Sequence, residues 1–300
     1  MARTAIGSND FRAPAIGQPT FVSAVTYSGS LKCDIWKPGV ANRPCIIIFH
    51  GGAWGATPQT RNTFPVYASL AAKFAAYGFA VINADYTPAN GTPQDAIDDG
   101  LALVQWARDN AGTYNIDSTR IVVLGVSSGG HLMLMIGIQG TPGASRPDAG
   151  VVWSAVADME DSYTYVPAEM ERVFGVALLG NEALYRSLSP VDVMDASCCP
   201  LRIVGSDAEE TDVGSEGPPV TQYTDLATAA AAVGVSVTSR IFEGLVHGFF
   251  DATTPDNGRL GTNDIPGTCR WIIDTLGETP AASSRTAASN RTAAVGRVAA

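Results

Sequence analysis

Gly125-Val126-Ser127-Ser128-Gly129 has the form G-x-S-x-G. A serine hydroxyl is a weak nucleophile until a base takes its proton and the oxygen stands clear of its own backbone. Glycines on both sides of Ser127 leave room for a sharp strand-to-helix turn that lifts the hydroxyl above a sheet edge. His50-Gly51-Gly52-Ala53-Trp54 supplies a second component. A tight glycine loop can aim backbone N–H groups at a developing oxyanion. Gly52 and Ala53 are the expected donors, with Ser128 as a third and His50 holding the loop in shape. A phosphate cradle is the competing reading of such a loop, but the chain has no G-x-x-x-x-G-K-[ST] and no G-x-G-x-x-G after the first strand. The pair of motifs points to attack of a serine on a carbonyl carbon.

That attack needs a base, and the chain has three histidines. His50 belongs to the glycine loop. His131, four residues beyond Ser127, is fixed on the helix that follows and is badly placed for the exposed hydroxyl. His247 remains, in a loop after an apolar strand, and completes the chain order serine, acid, histidine. The acid is expected after the strand Leu201–Val204, where it would fix the imidazole tautomer and stabilise the imidazolium. Gly205-Ser206-Asp207-Ala208-Glu209-Glu210-Thr211-Asp212 offers four carboxylates there. Asp207, nearest the strand end, is the first choice, with Glu209 second and Asp212 third.

The elements that must position these groups alternate. The continuous apolar run Cys45–Phe49 suits a strand buried on both faces, and the largely apolar stretches Phe79–Asn83, Ile121–Gly125, Ala149–Trp153 and Leu201–Val204 read as further buried strands. Residues 21 to 37 read as one or two further strands around a Tyr27–Ser30 turn, and Val235–Phe242 as another. Helical spacing appears over Pro65–Ala76, Asp95–Asp109, His131–Ile138, Leu226–Val233 and Arg270–Leu276. Strands alternating with helices predict one α/β domain, a doubly wound, mostly parallel sheet, over residues 1–277. Met159–Asp195 breaks the alternation and is expected to form a small cap. Its Tyr163, Tyr165 and Phe174 hint at an apolar or aromatic substrate. Residues 278–300, rich in Ala, Ser, Thr and Arg, are expected to be a disordered tail.

Composition removes other function classes. A net charge of −10 disfavours nucleic acid and anionic membrane as partners. No stretch reaches the ~18 apolar residues of a spanning helix, and the first residues lack the apolar core of a signal peptide. A soluble cytoplasmic protein is the plain expectation, and a homo-oligomer is compatible with it. The five cysteines have no C-x-x-C spacing, so buried free thiols are expected rather than a metal site.

Taken in order, these stretches resemble the alpha/beta-hydrolase superfamily, in particular its hormone-sensitive-lipase-like and BD-FAE-like esterases. The resemblance runs through His50–Trp54, Asn83-Ala84-Asp85-Tyr86-Thr87-Pro88, the helix from Asp95, residues 115–121, Gly125–His131, Ser189-Pro190 and His247-Gly248-Phe249. It implies the α/β-hydrolase fold and hydrolysis of small to medium carboxylic esters through an acyl-enzyme, without metal or organic cofactor. Trp54, Tyr86, Trp153 and Phe249 are the expected substrate-lining aromatics. Three positions depart from the pattern. Val126 replaces a usual His, Asp or Glu; Ala53 replaces a third glycine but keeps its N–H; and Asp207 follows Gly205 by two residues instead of three. Amide cleavage on the same fold, as in arylformamidase-like enzymes or peptidases, and an inactive binding protein are the competing functions.

Overall fold

The computed structural model describes residues 17–55, 60–209, 217–247 and 258–277. In chain order they form β1 (Thr20–Ser28), β2 (Leu31–Lys37), β3 (Arg43–Phe49), α1 (Pro65–Ala76), β4 (Ala80–Ala84), α2 (Pro93–Asp109), α3 (Ala111–Tyr114), β5 (Ile116–Val126), α4 (Ser128–Gln139) and β6 (Ala149–Trp153). Four short helices follow: α5 (Met159–Tyr165), α6 (Pro167–Phe174), α7 (Glu182–Ser187) and α8 (Pro190–Val193). The remainder is β7 (Leu201–Ser206), α9 (Val220–Ala232), β8 (Val237–Phe242) and α10 (Gly258–Leu276). The expected C-terminal tail, as well as Asp212 and Phe249, lies outside the described residues.

The eight strands make one sheet in the order β1-β2-β4-β3-β5-β6-β7-β8. β1 and β2 form an antiparallel hairpin, and β2 runs antiparallel to β4. Every pairing from β4 through β3, β5, β6 and β7 to β8 is parallel. This is the mostly parallel α/β sheet expected from the alternation of elements, and it agrees with the α/β-hydrolase fold that the resemblance implies. Parallel strands need crossover helices, which cover both faces of the sheet. β3 shows the result. Cys45, Ile47 and Phe49 point into the core shared with α2, α4 and α9, while Ile46 and Ile48 point into the core under α1 and α10. A run without polar alternation is what two-sided burial requires.

Two polar clusters tie segments to this frame. Asp264 on α10 is 1% exposed and accepts from Arg202 of β7 at 2.7 Å and Arg240 of β8 at 3.0 Å. A buried carboxylate is costly unless paired, so this residue pins α10 to the last two strands. Gln222 on α9, also 1% exposed, accepts from the N–H groups of Ala157 and Asp158 through its amide oxygen. Its amide nitrogen donates to Asp161, Ser162 and Tyr165. One side chain thereby fastens α5 to α9. All five cysteines are buried free thiols. Among the described residues no helix is long and apolar enough to cross a membrane.

Candidate active site

The glycine loop, Ser127, Glu209 and His247 follow the carboxyl ends of β3, β5, β7 and β8, where open parallel sheets build their sites. Ser127 separates β5 from α4 and has φ 54° and ψ −121°. A side chain at positive φ costs about 1–3 kcal/mol and persists only where the surroundings enforce it. Here Ser127 N–H donates to the Trp153 carbonyl at 2.9 Å, and the Ser127 carbonyl accepts from Gly130 and His131 as the helix starts. The flanking glycines have a steric reason. A Cβ on Gly125 would lie 2.0 Å from the Gly129 carbonyl oxygen, and one on Gly129 would lie 2.3 Å from that of Phe49. A side chain at Gly125 would push the start of α4 off β5, and one at Gly129 would push it off the end of β3.

His247 follows β8 and turns its Nε2 to Ser127 Oγ at 3.2 Å. Its Nδ1 lies 2.7 Å from Glu209 Oε2. Glu209 is 1% exposed, and its other oxygen accepts from Ser206 N–H at 2.8 Å. With the carboxylate receiving Nδ1–H, Nε2 is left as the lone-pair nitrogen facing the serine.

The expectation that Asp207 fills this position is therefore corrected. Asp207 is exposed and continues the β7–β8 pairing through its N–H to Phe242, while its Oδ1 accepts from Gly244 N–H at 2.7 Å. It braces the loop that carries His247 without touching the imidazole. The chain turns after Ser206, and at Glu209 a carboxylate points back to the ring.

The glycine loop packs directly on the nucleophile: a Cβ on Gly51 would lie 3.1 Å from Ser127 Cβ. Gly51 N–H donates to the Tyr67 hydroxyl of α1 at 2.7 Å. From Gly52 to Gly55 the backbone makes a turn closed by Gly55 N–H to the Gly52 carbonyl at 3.0 Å. Its central residues, Ala53 and Trp54, have φ of 50° and 53°. Positive φ at both central positions is the type I′ hand, ordinarily filled by Asn and Gly. With Ala and Trp there, the turn carries strain at two successive residues. The loop stands over the first turn of α4, whose leading N–H groups, Ser128 among them, have no intrahelical acceptor.

The other two histidines hold this loop. His50 is 1% exposed and stacks on Tyr86 with ring centroids 4.4 Å apart. Burial lowers its pKa, and its Nδ1 donates to the Gly51 carbonyl at 2.8 Å. His131 is fully buried, and burial lowers its pKa to about 4. The neutral ring accepts from the Trp54 indole at 3.0 Å through Nδ1, while Nε2 donates to the Leu188 carbonyl at 2.8 Å.

A cavity of about 30 Å³ adjoins Ser127, walled by Trp54, Val156 and Met170 together with the polar Tyr165 and Glu169. Among the expected lining aromatics, Trp54 takes part. Tyr86 and Trp153 do not. Tyr86 is 3% exposed and donates to the His50 carbonyl at 3.0 Å, behind the loop. Trp153 is fully buried in the core under α1 and α10. The α5–α8 aromatics divide similarly: Phe174 stacks on Tyr185 at 3.8 Å and Tyr163 packs edge-on against it, so of the three only Tyr165 reaches the cavity. Tyr165 is one of the cap aromatics named from the sequence; Met170 and Glu169 carry no sequence motif, and the break in alternation over Met159–Asp195 is the only signal for them.

Comparison with known proteins bears on the family and the fold. The AB hydrolase superfamily protein C1039.03 of Schizosaccharomyces pombe is 35% identical over 95 residues, covering 31% of this chain and 26% of its own length. Carboxylesterase NlhH of Mycobacterium tuberculosis is 34% identical over 99 residues, 32% of this chain and 30% of its own. The matched segment thus spans less than a third of each of these relatives. In three dimensions the chain is similar to a truncated carbohydrate esterase from gut microbiota, with a TM-score of 0.71 and 23% identity over 88% of this chain and 99% of that one. The BD-FAE family model matches residues 33–213, more than half of the chain, a stretch that holds the glycine loop, Ser127 and Glu209. The chain belongs to the BD-FAE family and has the α/β-hydrolase fold.

Proposed function

We propose that this protein is a serine carboxylesterase acting on esters of short carboxylic acids. The observation that carries the reading is the unbroken chain from Ser127 Oγ through His247 to the buried Glu209, at 3.2 and 2.7 Å. Its similarity to a carboxylesterase and to an esterase structure supports the same reading.

In the proposed mechanism His247 Nε2 takes the Ser127 proton as Oγ attacks the ester carbonyl. The tetrahedral oxyanion is held by the N–H groups of Gly52, Ala53 and Ser128. Glu209 stabilises the imidazolium. His247 then delivers the proton to the alcohol oxygen, the C–O bond breaks, and an acyl-Ser127 remains. Water deprotonated by His247 attacks the acyl carbon, and the Ser127 oxygen leaves with the returned proton. All the protons and electron pairs are accounted for by these groups.

The acyl side follows from where the base stands. The alcohol must depart toward His247, so the acyl group occupies the opposite flank of Ser127. The cavity that adjoins Ser127 has Trp54, Val156 and residues of α5 and α6, part of the expected cap, in its wall and does not have His247 there, and we take it as the acyl side. One water-sized group needs roughly 10–15 Å³ of such space, so 30 Å³ suits an acetyl or propionyl chain.

The test is turnover of p-nitrophenyl acetate, butyrate and octanoate and of an N-formylated aniline, with fluorophosphonate labelling of wild type and Ser127→Ala. Acetate turnover and label lost only in the variant are expected. Cleavage of the anilide in preference to every ester would move the assignment to an amidase. A wild type that takes no label would make the protein a non-catalytic member of its fold.

A further inference from the structure

The strained turn at Ala53 and Trp54 needs outside help, and one contribution comes from the far side of the site. Arg172 lies near the C-terminal end of α6. Its Nη2 donates to the Ala53 carbonyl. Nη1 donates to the Ala89 carbonyl at 2.8 Å and to Asn90 Oδ1 at 2.6 Å. The guanidinium also pairs with Glu169, a wall of the cavity beside Ser127. The contact is returned by the backbone: Gly91 N–H donates to the carbonyls of Arg172 and Val173 at 3.0 and 3.1 Å, and Ala89 N–H to the Trp54 carbonyl at 2.8 Å. Arg172 therefore closes a ring of hydrogen bonds through α6, residues 89–91 and the turn.

The position it holds matters for chemistry. The peptide joining Gly52 to Ala53 carries the Ala53 N–H, an expected oxyanion donor. Its direction is set by its own carbonyl, that of Gly52, and by the carbonyl of the next peptide, that of Ala53. The Gly52 carbonyl is engaged by Gly55 N–H, and the Ala53 carbonyl by Arg172. With φ of 50°, alanine has an easier conformation available at negative φ. A fixed, planar guanidinium bonded to several acceptors is suited to deny it that relaxation. We propose that Arg172 is a positioning residue: it couples α6 to the oxyanion loop and keeps the Ala53 N–H aimed at the reaction centre. This inference rests on the esterase reading for its kinetic consequence.

The experiment compares wild type, Arg172→Met and Arg172→Lys in p-nitrophenyl acetate turnover, in binding of a short alkyl trifluoromethyl ketone, and in deuterium exchange of the peptide spanning residues 51–55. Arg172→Met is expected to lower kcat about 10- to 100-fold, in line with displaced oxyanion donors. KM should stay within about threefold, because ground-state binding is not what the N–H supplies. Ketone affinity should fall by a similar factor to kcat, since the ketone adduct carries the oxyanion. Exchange at residues 51–55 should quicken. Arg172→Lys, keeping one donor, should fall between wild type and Arg172→Met. Unchanged kcat and ketone affinity, or a rise in KM alone, would overturn the proposal in favour of a wall or scaffold role. If Arg172→Met does not fold, Arg172→Lys is read in its place by the same criteria. Lack of turnover in the wild type would strike the esterase reading instead; exchange at residues 51–55 would still decide whether Arg172 holds the turn.

Discussion

Glu209 Oε2 sits 2.7 Å from His247 Nδ1, while Asp207, two residues closer to the strand, gives its carboxylate to Gly244 N–H. Two neighbouring acids on one loop thus meet the histidine segment in different ways, Glu209 at the His247 ring and Asp207 at the Gly244 N–H three residues before it. Glu209→Gln keeps the size of the side chain but removes the charge that stabilises the imidazolium and fixes its tautomer. Loss of kcat on the order of 10³- to 10⁴-fold is expected. Asp207→Asn, which weakens one exposed hydrogen bond, should cost less than about tenfold. Side-by-side turnover of p-nitrophenyl acetate decides it; the reverse ranking would return the acid to Asp207.

The backbone at Ser127 makes a stability prediction separable from catalysis. With φ 54° and ψ −121° the position favours glycine. Ser127→Gly should abolish turnover and raise unfolding stability by about 1 kcal/mol, the relieved strain being partly offset by greater freedom of the unfolded chain. Ser127→Ala should be equally inactive with stability within about 0.5 kcal/mol of wild type, since the strain stays. Urea midpoints of the three proteins measure the difference, and a less stable Ser127→Gly would show that the turn is unstrained.

Cavity size sets an acyl-length limit. Turnover should peak at acetyl or propionyl esters and fall beyond butyryl. Met170→Ala, which removes an apolar wall, should raise hexanoate turnover relative to acetate by about tenfold or more. A flat chain-length profile in the wild type would show that the acyl group lies elsewhere.

His131 links pH to stability. Its pKa is lowered to about 4 by burial, whereas an unfolded histidine titrates near 6.5. Above about pH 6.5 both states hold the ring neutral and the native fold carries no penalty. As pH falls toward 4, the unfolded chain takes up a proton that the native state refuses, and stability drops by up to about 3 kcal/mol. Protonation would also end acceptance from the Trp54 indole. His131→Gln should flatten this part of the stability profile, as followed by urea unfolding at pH 7, 5.5 and 4.5. A variant with the same slope as wild type would remove His131 as its source.

The legibility of these parts in the sequence differs for physical reasons. β3, β4, β6 and β7 stand out because burial on both faces leaves short runs dominated by apolar residues without polar alternation. α10 begins well before Arg270, where helical spacing first shows; Pro266 inside it reads as a break. Ser127 is visible through two glycines whose need is steric, and His247 through the scarcity of histidines. Glu209 is not visible in this way, because its aim depends on how the chain turns after Ser206. Tyr86 and Trp153 fail as lining residues for a related reason: an aromatic near a strand end looks the same in sequence whether it faces the pocket or the core. Arg172 is less visible still. Its partners lie 119 and 83 residues away at Ala53 and Ala89, and no local pattern marks a side chain whose work is done on distant carbonyls.

The order of strands in the sheet has a practical consequence. β3 brings the glycine loop, β5 the serine, β7 the glutamate and β8 the histidine, and between β3 and β8 the sheet is parallel throughout. Under the proposed mechanism, no fragment that lacks one of these strands holds a complete set of reacting groups, and a partly folded chain with β8 detached lacks its proton carrier. Ester turnover would therefore serve as a gauge of assembly across most of the chain, silent in truncated, misregistered or half-docked forms and returning only when the edge strand joins.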